Sequence, residues 1–187
     1  MVDVTQLTAQ QLQAATGCAP ERAARWLLHI KRACQLYDIT TPLRLAAFLA
    51  QIGHESGGLR YTREIWGPTP TQARYESRAD LGNRLPGDGR RFLGRGLIQI
   101  TGRFNYRSLT AALRLVRRDA PDFELNPEQL EQPEWAALSA AWYWRSRSLS
   151  ALADAKDFER ITRRINGGLN GQDDRVSLYG AAIEALA

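Results

Sequence analysis

Sulfur, histidine and lysine are scarce in this 187-residue chain: two cysteines, one methionine, two histidines, and only Lys31 and Lys156 beside 23 arginines. Cys18 and Cys34 have the spacing of no zinc site, and two histidines cannot complete one, so no metal centre is expected. Both cysteines should pack as small apolar side chains, with a bridge between neighbouring helices left open. No apolar run reaches the ~18–20 residues that cross a bilayer, so stable membrane insertion is not expected. The opening Met1-Val2-Asp3-Val4-Thr5-Gln6 lacks a basic segment followed by an apolar one and leads to the expectation of no signal peptide. Repeats, linkers and low-complexity blocks are absent too. The length fits one domain, able to bury a core without staples.

What is present is positive charge and helical periodicity. The net charge is +5 and the pI about 9.6, which either favours an anionic partner, nucleic acid or an acidic surface polymer, or reflects only a solvated arginine-rich surface. The arginines are spread along the chain without a zinc-finger or RNA-binding signature, and a nucleic-acid partner is not expected. Thr8 to Gln11 fits a capping box, with a short helix running to Gly17. Pro20 opens a helix with Ala23, Trp26, Leu27, Ile30, Ala33 and Cys34 on one face. Thr41-Pro42 starts another, carrying Leu45, Phe48, Leu49 and Ile52 and ending near Glu55, where Ser56-Gly57-Gly58 supplies a cap. Residues 67–91 lose the period and read as a long irregular, functional loop. Residues 91–101 read as a short strand or hairpin. Helices are predicted near 106–117, 134–145 and 157–165, with a last one from about Asp173. Trp135, Trp142 and Tyr143, at helical spacing, read as core. The fold class is all-α, with at most a small β-hairpin.

The chemistry concentrates in His54-Glu55-Ser56-Gly57-Gly58-Leu59-Arg60-Tyr61-Thr62-Arg63-Glu64. Two carboxylates nine residues apart flank a chain reversal, as acid/base cleavage of a glycosidic bond requires. Glu55, at the negative end of a helix dipole and beside an apolar face, suits a general acid. Glu64 follows polar residues and suits a base acting on water. Glu76, in the irregular loop, is the rival for that second role.

His54-Glu55-Ser56-Gly57-Gly58, then Glu64, then Gly94-Arg95-Gly96-Leu97-Ile98-Gln99-Ile100-Thr101, then Asn105-Tyr106, then Ile165-Asn166-Gly167-Gly168 together resemble glycoside hydrolase family 19, the chitinases and related phage endolysins. The match runs in order from about Leu45 to Tyr179. The resemblance implies a lysozyme-like fold of two helical lobes around a cleft and an inverting mechanism. On this expectation residues 1–187 form a single catalytic domain, with about 1–40 as an N-terminal helical part and about 41–187 as the family 19-like core. The resemblance implies Glu55 as acid, Glu64 as base in the spacing of the bacterial members, and Thr101 as the hydroxyl that holds the water. It implies Asn105 and Asn166 as sugar-binding, and Arg95, Gln99 and Arg175 as polar residues lining the cleft. His54 reads more readily as a helix-end structural residue than as a catalyst, and is counted among the candidates for substrate binding. Trp66 and Tyr75, near these motifs, are candidates to stack on sugar rings. The chemistry needs no cofactor.

Chitin and peptidoglycan both offer β-1,4-linked N-acetylamino sugars. The expected lack of a leader, the single catalytic domain without a binding module and the basic charge point to peptidoglycan and to a phage or prophage endolysin. It would be a monomer, made in the bacterial cytoplasm and acting on the wall in the periplasm after release. A chitinase is the alternative. A non-catalytic wall-binding protein is a further one, against which the intact Glu55, Glu64 and Thr101 argue.

Overall fold

A computed structural model of the chain describes residues 4–187. Met1, Val2 and Asp3, part of the stretch read for a leader, lie outside the described residues. Ten α-helices are present among them: α1 (Ala9–Thr16), α2 (Pro20–Leu36), α3 (Pro42–Glu55), α4 (Pro70–Ala73), α5 (Asp88–Arg91), α6 (Arg103–Val116), α7 (Pro133–Ser146), α8 (Leu149–Asp154), α9 (Phe158–Asn166) and α10 (Gln172–Leu186). None of the described helices is long and apolar enough to cross a membrane.

Local chemistry sets most of these boundaries. The Thr8 hydroxyl accepts from Gln11 N while the Gln11 amide accepts from Thr8 N, and Gly17 closes α1 in the left-handed conformation. Thr41 caps α3, with Pro42 at its first position. Asp157 caps α9 and Gly167 ends it. The all-α expectation holds. The predicted strand or hairpin at 91–101 is instead a tight loop after α5 with two isolated antiparallel bridges, Arg63–Arg95 and Arg95–Ile100. Arg95 and Ile100 exchange backbone hydrogen bonds of 3.1 and 2.8 Å. That closes the turn on itself before any ladder can extend. Residues 67–91 are not structureless either: α4, a 3₁₀ turn at Ala79–Leu81 and α5 lie within them.

The chain divides into two compact units, one made of Met1–Arg60 with Ala140–Ala187 and the other of Tyr61–Ser139. In the first, α3 is the hub: Leu45 to Gly53 are all buried, and α1, α8 and α10 pack on it. A side chain at Gly53 would meet the Thr16 backbone at 2.8 Å, so this glycine is what lets α1 and α3 approach. Phe48 meets Trp144 edge to face at 5.5 Å. Cys18 and Cys34 are free and buried, and burial pushes the Cys34 thiol far up, as for inert packing groups. Trp142 and Tyr143 are half-buried.

The second unit buries Phe92, Leu93, Leu97, Tyr106, Leu109, Leu113, Phe123 and Trp135. It is laced by arginine–carboxylate pairs. Arg103 reaches Asp88 at 2.5 Å and Glu124 at 2.9 Å, and Arg107 holds Glu124 from the other side at 2.8 Å. Asp88 also accepts from Arg84 N and Leu85 N. These pairs hold both carboxyls below their usual range, Glu124 at about 2.

Candidate functional site

In the first unit, Glu55 is the last residue of α3. Its side chain is one-fifth exposed, and its Oε1 accepts from Arg175 Nη2 at 2.5 Å. The sequence placed an apolar wall beside this glutamate; the structure places a buried guanidinium there. Arg175 comes from the first turn of α10, and its side chain is 2% exposed. Its Nη1 donates to Gln51 Oε1, and Gln51 Nε2 donates to Thr162 Oγ1 at 3.0 Å. Glu55 therefore stands at the solvent end of an internal chain of hydrogen bonds. Arg175, expected to line a cleft, is instead the side chain that grips the candidate acid. The preceding residue of α10 does the same for the preceding residue of α3: Asp174 Oδ2 lies 2.6 Å from His54 Nδ1. His54 is thus paired as a helix-end structural residue would be, and the Gly171 backbone packs against its ring. Asn166 is exposed at the end of α9, beside the Gly167 that terminates the helix.

In the second unit, Glu64 is held through both carboxylate oxygens. Oε1 accepts from Gln72 Nε2 at 2.9 Å and from the Tyr75 hydroxyl at 3.3 Å, and Oε2 accepts from Gly94 N at 3.0 Å. The Glu64 backbone N–H donates to Gly94 O at 2.8 Å, so residues 64 and 94 are paired by backbone and side chain together. Burial raises the Tyr75 phenol above its ordinary value, and the Glu64 charge adds to the effect. Trp66 stands tilted against Tyr75, ring centroids 6.4 Å apart. A side chain at Gly94 would run into Gln99 Oε1 and would meet Thr101 Oγ1 at 3.2 Å. Only a glycine brings those two polar groups up to the backbone that holds Glu64. Gln99 Nε2 donates to Gly96 O at 3.3 Å, while its Oε1 is buried with no hydrogen-bond partner among the described residues. Asn105 Nδ2 donates to Thr101 O at 2.6 Å. The second unit thus brings together Glu64, Trp66, Tyr75, Gln99, Thr101 and Asn105.

Two candidates sit elsewhere than expected. Arg95 does not offer its donors to a cleft. Its side chain is 8% exposed, with Nε on Glu131 at 2.7 Å and Nη1 on Arg91 O at 2.8 Å and on the Tyr106 hydroxyl at 3.0 Å. It braces the loop from inside. Glu76, the rival base, spends both oxygens on backbone: Gly87 N at 2.7 Å and Gly89 N at 2.9 Å. Its role in the structure is to tie α5 to the loop before it. Among the described residues no group of three or more His, Cys, Asp or Glu side chains could hold a metal ion.

No protein-family model matches the chain. A glycosyl hydrolase family 19 domain-containing protein of Haemophilus influenzae is 36% identical over 169 residues, covering 75% of this chain and 79% of that protein. The chain belongs to glycosyl hydrolase family 19. An endochitinase of Arabidopsis thaliana is 36% identical over 124 residues, 66% of this chain, which spans only 39% of that plant protein. Chitinase C of Streptomyces griseus shares its fold with a TM-score of 0.76 at 24% identity, over 99% of this chain and 93% of that one. A second bacterial family 19 chitinase superposes with a TM-score of 0.73, over 96% and 94% of the two chains. As a family 19 member the protein is a glycosidase.

Sequence reasoning passed over Gln51, Gln72, Glu131 and the Gly94 N–H. Gln72 alone left a local trace: Thr69-Pro70-Thr71-Gln72 is a capping-box spacing, which marks the start of α4 but not the bond to Glu64.

Proposed function

We propose that this glycosidase cleaves β-1,4 bonds between the N-acetylamino sugars of bacterial peptidoglycan, as an endolysin with an inverting general acid/base mechanism. Glu55 protonates the glycosidic oxygen as the bond to the leaving sugar breaks. Glu64 takes a proton from the water that attacks the anomeric carbon on the opposite face. Thr101, whose hydroxyl donates to Gln99 O at 3.4 Å, keeps its lone pairs to accept from that water as a second anchor. Once Glu55 has given up its proton, the charge left on it meets the Arg175 guanidinium. Asn105, Asn166, Gln99, Trp66 and Tyr75 are the side chains proposed to contact sugar, with Asn105 limited by the donor it spends on Thr101 O.

The observation that carries the acid/base reading is the fixing of Glu64 by three donors beside Thr101. Support for peptidoglycan is the charge of +5, since peptide-bearing glycan is anionic and chitin is neutral. The chitin reading has its own support in relatives named endochitinases. On the proposed reading the protein works as a monomer on the wall in the periplasm, reached by release from the cytoplasm.

The test is incubation with purified peptidoglycan and, separately, with chitin oligomers, analysing new reducing ends by mass and the first-formed anomer by NMR. Muropeptide fragments with α-configured new ends are expected. Cleavage of chitin alone overturns the peptidoglycan assignment, and retention of the β-configuration overturns the mechanism.

A further inference from the structure

Gln72 is a fully committed side chain. It is 4% exposed, and its amide uses every bond available to it. Nε2 donates to Glu64 Oε1 at 2.9 Å and to Ile65 O at 2.8 Å, while Oε1 accepts from Gly67 N at 3.1 Å and Thr69 N at 2.8 Å. A primary amide has two N–H bonds and two lone pairs, and all four are spent. Turning the amide over would set its N–H bonds against two backbone N–H groups and its oxygen against a carboxylate and a carbonyl. One orientation is therefore enforced.

Capping α4 needs only the oxygen. The N–H pair does something a cap does not: it fixes Glu64 Oε1 and the backbone carbonyl of the very next residue. Tyr75 adds its hydroxyl to the same Oε1 from within two residues of the end of α4. We infer that Gln72 is a positioning residue for this glycosidase, using the start of α4 as a fixed base from which it aims the Glu64 carboxylate, with Tyr75 as its helper. The inference rests on the reading of Glu64 as the catalytic base. It makes the irregular loop after Glu64 part of the turnover machinery through an amide that touches no sugar.

The test separates the two jobs of Gln72. Gln72→Glu keeps an acceptor for Gly67 N and Thr69 N but replaces the donors facing Glu64. Thr69→Ala removes the hydroxyl that accepts from Gln72 N at 3.2 Å and leaves the amide-to-carboxylate bond. Expected for Gln72→Glu is a kcat at least tenfold lower with KM within twofold of wild type. Expected for Thr69→Ala is a lower melting temperature with kcat unchanged. The inference is overturned if Gln72→Glu turns over within twofold of wild type, if its loss is in KM alone, or if Thr69→Ala loses as much kcat. Glu64→Gln is the control. Wild-type turnover in Glu64→Gln removes the base reading itself. An inactive Glu64→Gln beside a fully active Gln72→Glu removes only the role given to Gln72.

Discussion

The two candidate carboxylates are held by opposite means. Glu55 sits on a fourteen-residue helix and is gripped by one full charge, the Arg175 guanidinium, itself buried and anchored on Gln51. Glu64 sits in irregular chain and is gripped by neutral donors: an amide, a phenol and a backbone N–H. A charge partner acts strongly but with little directional detail, which suits a group whose own charge changes during the proposed reaction. Neutral donors at fixed angles hold an acceptor-only carboxylate in one orientation, which suits a group that must face a water. Helix and loop are thus both adequate scaffolds, provided the loop is pinned as tightly as residues 64–94 are.

The largest effect should come from removing either carboxylate while keeping its shape. Glu55→Gln and Glu64→Gln are each expected to lower kcat by roughly 10²–10⁴-fold, measured as reducing-end release, with melting temperatures close to wild type. A Glu55→Gln protein with full activity would break the comparison at its first term.

Next is the charge partner. Arg175→Met leaves Glu55 and Gln51 without their donor, and the cost of breaking such a pair is about 3 kcal/mol, read from urea denaturation. An equal loss from Tyr75→Phe, which removes one neutral donor from Glu64, would erase the contrast between the two grips.

A smaller effect is expected from acid. Glu124 is held low by Arg107 first and by Arg103 as well, and Asp88 is held low by Arg103. Such depressed carboxyls stabilise the fold above their unfolded values. For Glu124 that contribution is lost as pH falls from the ordinary value of 4.5 toward about 2. The melting temperature should drop across that window, and Glu124→Gln should flatten part of the drop. An unchanged profile would mean that these pairs do not contribute.

The smallest effect is assigned to Glu76→Gln, which weakens two bonds to backbone N–H groups: about 1 kcal/mol of stability, with kcat unchanged. A collapse of kcat in this variant, with Glu64→Gln active, would move the base to Glu76.

Legibility from sequence followed the range of the interaction. Caps and breakers act over three or four residues, so Thr8 with Gln11, Thr41 with Pro42, and Gly17 could be read directly. The short helices α4 and α5 could not, because four-residue elements in a proline- and glycine-rich stretch have no period to detect. The motif order located Glu55, Glu64 and Thr101 and gave the family. It did not reveal that Arg175 would be buried against Glu55, since 120 residues separate them and no local pattern encodes the pairing. Arg95 was misplaced for a related reason. An arginine between two glycines reads as exposed until Glu131 and Tyr106 are folded around it.

The division of the chain also carries a consequence for the order of assembly. Tyr61–Ser139 is one uninterrupted stretch, whereas the unit carrying Glu55 is closed by α10, whose residues are the last of that unit to leave the ribosome. Domains tend to fold as units during synthesis. The candidate base can therefore be in place on a nascent chain while the candidate acid still lacks Arg175. A chain stopped short of residue 172 would lack α10, and Glu55 would stand without its charge partner.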